Sequence, residues 1–476
     1  MPTLIWRDRW LRKKRIIAVL CCLAALWLAW QVYDILTGKP EAKVDYATRF
    51  YELMEGAQER VGENAFGTLS EVFLRAHATE HGLMEGLDAA TIDMGDYDAQ
   101  PFFSNLLDGP FRPHRWVKQI EAIEQMRADG TFDLSARIAT LKWCARPRVA
   151  STPFHEMYMD ERTGSIGEIR AYCKLQGARM RLAAHAGDWD DFIAAFDESM
   201  AAIRLSSFEP VFIDSLIAVS CHAMILNQLR WALVEYRLPE ETALALRAAL
   251  DRGADLPEPE YVLSGEQCFA LDYLQHVYTA SGRLPPGLFR MYARDVRSGV
   301  GTALAIVIPG HETAQRLTRE SFEEMKRISN LPLAEIVALE QSGWSVQLPI
   351  SQVAISGPDS TIPKIWARRE AEFAATRLML SIEAFIAGRG EAPASLAELA
   401  PELLDAPPVD PANGKPYGYR RVTADAHGRT YLLWSFGPDG EDNGGVEDPE
   451  NPWWDAADGT DWIINAPRDI PEGIRP

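Results

Sequence analysis

The residues with the clearest capacity for chemistry lie near the C-terminal end of the chain. Asp439, Glu441, Asn443, Gly444 and Glu450 stand at positions 1, 3, 5, 6 and 12 of a loop of EF-hand length. Calcium takes ~6 to 8 oxygen ligands in flexible geometry, and alternating carboxylates and amides around a glycine-enabled turn supply them. Three features depart from that pattern: glutamate at position 3, Pro449 at position 11, and a strand rather than a helix leading in. A solvated acidic loop built from turn-forming Asp, Asn and Gly is the competing reading, and the residues leave both open. Trp453, Trp454 and Trp462 flank the loop; such aromatics stack on sugars or peptides when exposed and pack when covered.

Catalytic signals are sparse. The chain has no G-x-S-x-G elbow, no H-E-x-x-H helix, no C-x-x-C pair and no glycine-rich phosphate loop. Glu266 with Asp272, or His155 with Glu156, can be assembled into acid–base pairs, but a helical chain of 476 residues offers such pairs by chance. His222 follows Cys221 at a helical step of about 100°, which argues against shared metal ligation. The expectation is therefore a non-catalytic protein with no catalytic residues. The alternative is a periplasmic cell-wall-active hydrolase with its site between the helical region and the loop Met94 to Pro113. Cys21 and Cys22 fall in the apolar N-terminal run, and Cys144, Cys173, Cys221 and Cys268 allow three disulfide pairings that nothing selects. Their apolar, helical surroundings favour buried thiols.

The elements that carry these residues are mainly α. From Val44 to Glu340 the apolar period is helical, most clearly at Asp188 to Leu205, where Phe192, Phe196, Met200 and Ile203 form one stripe. Gly187 ends the helix before it and Asp188 can cap the new one, which makes a helical hairpin. Val211 to Leu233 is apolar on nearly every face and reads as a helix buried by its neighbours rather than a second membrane span. Pro239 opens a helix through Leu250, and Ser264 with Gln267 has capping-box spacing ahead of Cys268 to Tyr278. Helical pairs recur without a fixed period, so an irregular helical-hairpin array is expected. Residues 341–364, rich in Gly and Pro, read as a linker. A helix from Trp366 to Ala387, a short helix from Ser395 to Leu404, and a β-hairpin of Tyr417 to Val422 with Thr430 to Phe436 follow.

At the other end, Arg7, Arg9, Arg12, Lys13, Lys14 and Arg15 precede an apolar run, Ile16 to Tyr33, broken only by the polar Gln31. A spanning helix needs ~20 mainly apolar residues, and short Lys/Arg-rich flanks stay cytoplasmic. Residues 1–15 are therefore expected to be a cytoplasmic tail and 16–36 an uncleaved inner-membrane signal anchor. Residues 37–340 would then be a helical periplasmic domain and 365–476 a small α+β domain. The formal net charge is −20, and the basic tail with its single acid, Asp8, leaves −25 on the rest. So acidic a surface excludes nucleic acid as a partner and favours cations or basic partners.

The run LSIEAFIAGRGEAPASLAELAPELLDAPPVDPANGKPYGYRR, followed by YLLWSFGPDGEDNGG, resembles the C-terminal domain of the major pseudopilins of type II secretion. The helix, the Pro-Xaa-Ser-Leu turn, the Asp-Pro-Xaa-Xaa-Gly-Xaa-Pro-Tyr lead-in and the Ser-Xaa-Gly-Pro-Asp-Gly loop come in the same order, over roughly residues 366 to 465. The resemblance implies a calcium-stabilised domain in which Asp439 matches the Asp of Gly-Pro-Asp-Gly and Asp461 the later acid, with Asp442 and Asp448 as additions. With Glu441 and Asn443 from the loop spacing, these form the candidate metal set. The segment AGDWDDFIAAFDESMAAIRL and the GEQCFALDYLQHVY helix resemble uncharacterised helical bacterial envelope proteins that carry such a module, which implies envelope protein partners and possible association with a type II secretion or pilus-like system. Here the hydrophobic helix lies far upstream of the module and lacks a prepilin-peptidase site, so pilin-like processing and polymerisation are not expected.

Overall fold

A computed structural model describes residues 19–34, 37–57, 60–85, 113–148, 154, 165–283, 310–331, 333–342, 361–425, 428–437, 439–447 and 459–466. The basic tail, the loop from Met94, most of the expected linker, His155, Glu156, Asp448, Glu450, Trp453 and Trp454 lie outside the described residues. The described chain is mainly helical with three short strands. Its helices are α1 (Val19–Asp34), α2 (Tyr46–Ala57), α3 (Phe66–Glu85), α4 (Pro113–Ala128), α5 (Thr131–Thr140), α6 (Ser165–Ala186) and α7 (Trp189–Ser206). They continue as α8 (Phe212–Glu235), α9 (Glu240–Gly253), α10 (Pro259–Val277), α11 (His311–Ser329), α12 (Leu333–Gln341) and α13 (Thr361–Arg389).

The α6–α7 hairpin follows the sequence signals. Gly187 takes φ +71°, and the Asp188 carboxylate accepts the Asp191 N–H at 3.1 Å to cap α7. The faces of α6 and α7 that meet bury charge as well as carbon. Arg179 donates to Glu198 at 2.8 Å and to Asp191 at 2.9 Å through Nε, while Gln176 donates to the same Glu198 oxygen at 2.9 Å. The start of α10 differs from expectation. Pro259 sits in the first turn of α10, where its missing N–H costs nothing. Ser264 is thus inside the helix and donates to the Glu260 carbonyl at 2.7 Å instead of capping.

Helix α8 packs against α6, α7 and α13, and α13 in turn covers α9. A continuous apolar core runs through these elements from Ala65 to Ile464. The helix expected at Trp366 to Ala387 begins earlier, at Thr361, so residues 361–364 are helical rather than linker. The short helix expected from Ser395 is a single 3-10 turn, Leu396–Leu399. The hairpin is present as β1 (Gly418–Arg421) and β2 (Tyr431–Ser435), paired from Gly418↔Trp434 to Arg421↔Tyr431. A third antiparallel strand, β3 (Trp462–Ile463), completes the order β1-β2-β3; two residues are too few to show a period in sequence. Gly418 is obligatory, because a Cβ there would lie 1.9 Å from the Trp434 ring.

Among the described residues, α8 is the one helix long and apolar enough to cross a membrane, and 61% of its apolar window is buried by the rest of the fold. The described part of the N-terminal run, α1, is shorter. Cys144, Cys173 and Cys221 are buried thiols and Cys268 is half-buried. Cys144 follows α5 in an irregular segment instead of a helix.

Helix α10 crosses the turn before α8 so closely that a Cβ at Gly265 would lie 1.9 Å from the Pro210 carbonyl oxygen. Gly265→Ala is expected to cost about 3 kcal/mol by overpacking, read as a lowered denaturation midpoint. A neutral substitution would show that the two segments separate easily.

Candidate functional site

The acidic loop hangs between β2 and β3, closed on itself by its own carboxylates. Asp439 accepts N–H bonds from Glu441 at 3.0 Å and Gly459 at 3.2 Å. Asp442 accepts the Gly444 N–H at 2.9 Å and the Trp434 indole N–H at 3.1 Å. Asp461, at the start of β3, takes the Asn443 N–H at 3.2 Å on one oxygen and the Gly445 N–H at 2.7 Å on the other. The Asn443 side chain donates to the Glu441 carbonyl at 3.2 Å. Burial raises the Asp461 carboxyl above its usual range, and the nearby charge of Asp442 adds to the shift.

The structure thus brings Asp439, Glu441, Asp442, Asn443 and Asp461 into one loop, while Asp448 lies outside the described residues. Among the described residues, no three His, Cys, Asp or Glu side chains converge as a metal-holding group. Each loop carboxylate oxygen that accepts one N–H keeps a lone-pair direction for a cation, so the donor chemistry suits calcium. The hydrogen bonds alone already fold the turn. Trp462 is buried rather than presented to a ligand, and it lies under the Arg230 guanidinium at 5.3 Å.

Two other places gather polar groups. A cleft of about 310 Å³ between α3, α6 and the α7–α8 turn is lined by Glu168, Glu209, Asp214 and Arg146. Glu209 is nearly buried, with the Arg146 Nε at 3.7 Å. Of the two acid–base pairs suggested by sequence, His155 with Glu156 lies outside the described residues, and Glu266 and Asp272 each take other partners. Glu266 accepts the Phe212 N–H at 2.6 Å to close the start of α8. Asp272 accepts from Gln275 at 2.9 Å and lies 3.6 Å from His276. His222 is enclosed edge-on against Phe373, and burial holds its imidazole well below the usual range.

The second place was not legible in sequence. Glu383 on α13 accepts the Tyr431 hydroxyl of β2 at 2.9 Å, and Arg237 from the α8–α9 turn lies 3.7 Å from its other oxygen. Glu383 and Arg237 border a cleft of about 280 Å³ together with Thr430, whose hydroxyl is buried and unpartnered. Burial pushes the Glu383 carboxyl up to about 7, against the pull of Tyr431 and Arg237. The residues are far apart in sequence, and only the docking of the hairpin on α13 unites them. Compared with protein-family models, curated proteins and solved structures, the chain matches none.

A glutamate near 4.5 when unfolded and about 7 when folded binds its proton more tightly in the native state. Stability is therefore lost as pH rises from the first value toward the second, by at most about 3 kcal/mol. Glu383→Gln removes this dependence, and chemical denaturation at pH 5 and pH 8 is expected to show the variant gaining on the wild type at the higher pH. Parallel behaviour would mean that Arg237 keeps the carboxylate ionised in the fold.

Proposed function

We propose that the chain is a non-catalytic, membrane-anchored protein of a bacterial envelope that works by binding or assembly. Its N-terminal helix sits in the inner membrane with the basic tail in the cytoplasm, and its irregular helical array lies in the periplasm. The observation that carries the reading is the surface of α1. Leu20, Leu23, Leu26, Trp27, Leu28, Trp30 and Tyr33 are each between 50% and 67% exposed, whereas the other exposed large apolar side chains among the described residues are scattered singly. Water penalises such a surface by about 25 cal/mol per Å², and lipid removes the penalty. The far end of the helix is tied to the body: Asp34 accepts the Thr279 hydroxyl at 3.2 Å, and the Ala280 N–H donates to the Lys39 carbonyl at 2.8 Å.

The pseudopilin-like reading of the α13 and three-strand unit makes its loop a calcium site formed by Asp439, Asp442 and Asp461, with envelope partners at a type II secretion or pilus-like machine. Support comes from the donor types gathered in one glycine-turned loop and from the acidity of the exported part. The cleft of Glu168, Glu209 and Asp214 favours the second reading, a cell-wall-active hydrolase; loss of peptidoglycan turnover in Glu209→Gln with an intact fold would select it.

Leu23→Arg with Leu26→Arg is expected to move the protein from the membrane to the soluble fraction, since each arginine costs ~2.5 to 3.5 kcal/mol at mid-span. Retention of the double variant in carbonate-washed membranes would remove the anchor. Calcium at a hundredfold excess over Kd is expected to stabilise the wild type by about 2.7 kcal/mol and to leave Asp439→Ala, Asp461→Ala unchanged. Equal responses would reduce the loop to an acidic turn.

A further inference from the structure

Helix α3 carries a pair of imidazoles that neither the acidic loop nor the clefts use. His77 and His81 are four residues apart, so one helical turn sets them on the same face. Their ring centroids lie 6.1 Å apart with the planes at 82°. His81 is exposed, whereas His77 is half-buried against the start of α6, with Gly167 beside it. The His77 Nδ1 is buried and has no hydrogen-bond partner, and leaving such a nitrogen unsatisfied costs about 1 to 3 kcal/mol. Zinc-class ions bind imidazole nitrogen at ~2.0 to 2.1 Å, which places two rings on one ion roughly 5 to 6 Å apart between centroids. The observed centroid separation of 6.1 Å is close to that spacing.

We propose that His77 and His81 form a binding site for a borderline divalent transition metal such as zinc or nickel. The run His77-Ala78-Thr79-Glu80-His81 also has the spacing by which some zinc peptidases hold their ion. Glu80, however, is turned to Lys174, whose Nζ lies 2.9 Å from its carboxylate. The carboxylate is already matched there, so the site is one of binding and not of hydrolysis. Among the described residues no third side chain completes a three-residue metal group with these two. Water takes the remaining positions, and the ion exchanges readily. Imidazole donors select such ions over calcium, so this site and the oxygen-lined loop are chemically distinct. The acidic charge of the chain concentrates cations near both.

The test is equilibrium binding of zinc, and separately nickel, to the full chain in detergent micelles with excess calcium present. The wild type is expected to bind one more equivalent than His77→Ala, His81→Ala, with each single variant weakened roughly tenfold or more. His81 is exposed, so His81→Ala keeps its fold even if the His77 substitution disturbs α3, and loss of the equivalent in that variant alone supports the site. Glu80→Gln is expected to bind as the wild type does. Unchanged stoichiometry and affinity in the double variant overturn the proposal. Displacement of the extra zinc by calcium overturns it too, because it would place the ion on carboxylates.

Discussion

The buried guanidinium of Arg230 helps to join the helical body to the C-terminal helix and sheet. It sits near the end of α8, an otherwise apolar helix, and only 5% of its surface reaches solvent. A charge so placed is tolerated only with partners, and α13 supplies them. The Thr376 hydroxyl accepts its N–H at 3.0 Å, and Glu372 lies 3.9 Å away. The same guanidinium lies over the ring of Trp462 in β3. One side chain thus fixes the seam between the central helix, the long C-terminal helix and the sheet.

That seam explains why the region after residue 361 is not a separate ball on a tether. Helix α13 buries one face on α8 and α9 and another beneath the hairpin, where the Tyr417 hydroxyl donates to the Ala371 carbonyl at 3.0 Å. Arg247 of α9 reaches the Leu403 carbonyl, and Arg237 reaches that of Gly428 at 3.2 Å. Polar side chains from the helical body therefore close the backbone of the C-terminal turns. The cleft at Glu383 is a by-product of this docking. A carboxylate on one element is trapped by a phenol on another, and its proton affinity reports their contact.

The two apolar helices show how composition and environment separate. Helix α8 has the length and hydropathy of a membrane span, yet two of its polar residues answer protein partners: Gln228 accepts from Arg181 at 2.5 Å, and Arg230 binds α13. Helix α1 meets the body through Asp34 at its end and leaves its Leu and Trp side chains uncovered. The difference lies in how much of each helix the rest of the fold covers.

Local order was legible along the chain: the α6–α7 hairpin with its glycine and aspartate caps, the buried character of α8, and the β1–β2 hairpin. These depend on spacings of one to four residues, and such short-range rules act within a helix turn or a strand pair. The start of α10 was misplaced because a proline in the first turn outranked the Ser264–Gln267 pattern. Asp439, Asp442 and Asp461 were readable as one acidic group. Their employment as acceptors for loop amides was not, because a backbone N–H carries no sequence signature. Glu383, Tyr431 and Arg237 were out of reach altogether, and so was the role of Arg230. Residues separated by tens to hundreds of positions meet only when burial of the apolar faces fixes the helices against one another. By itself the sequence determined the helices, the turns and the charge; tertiary packing decided which charges would be buried, and against what.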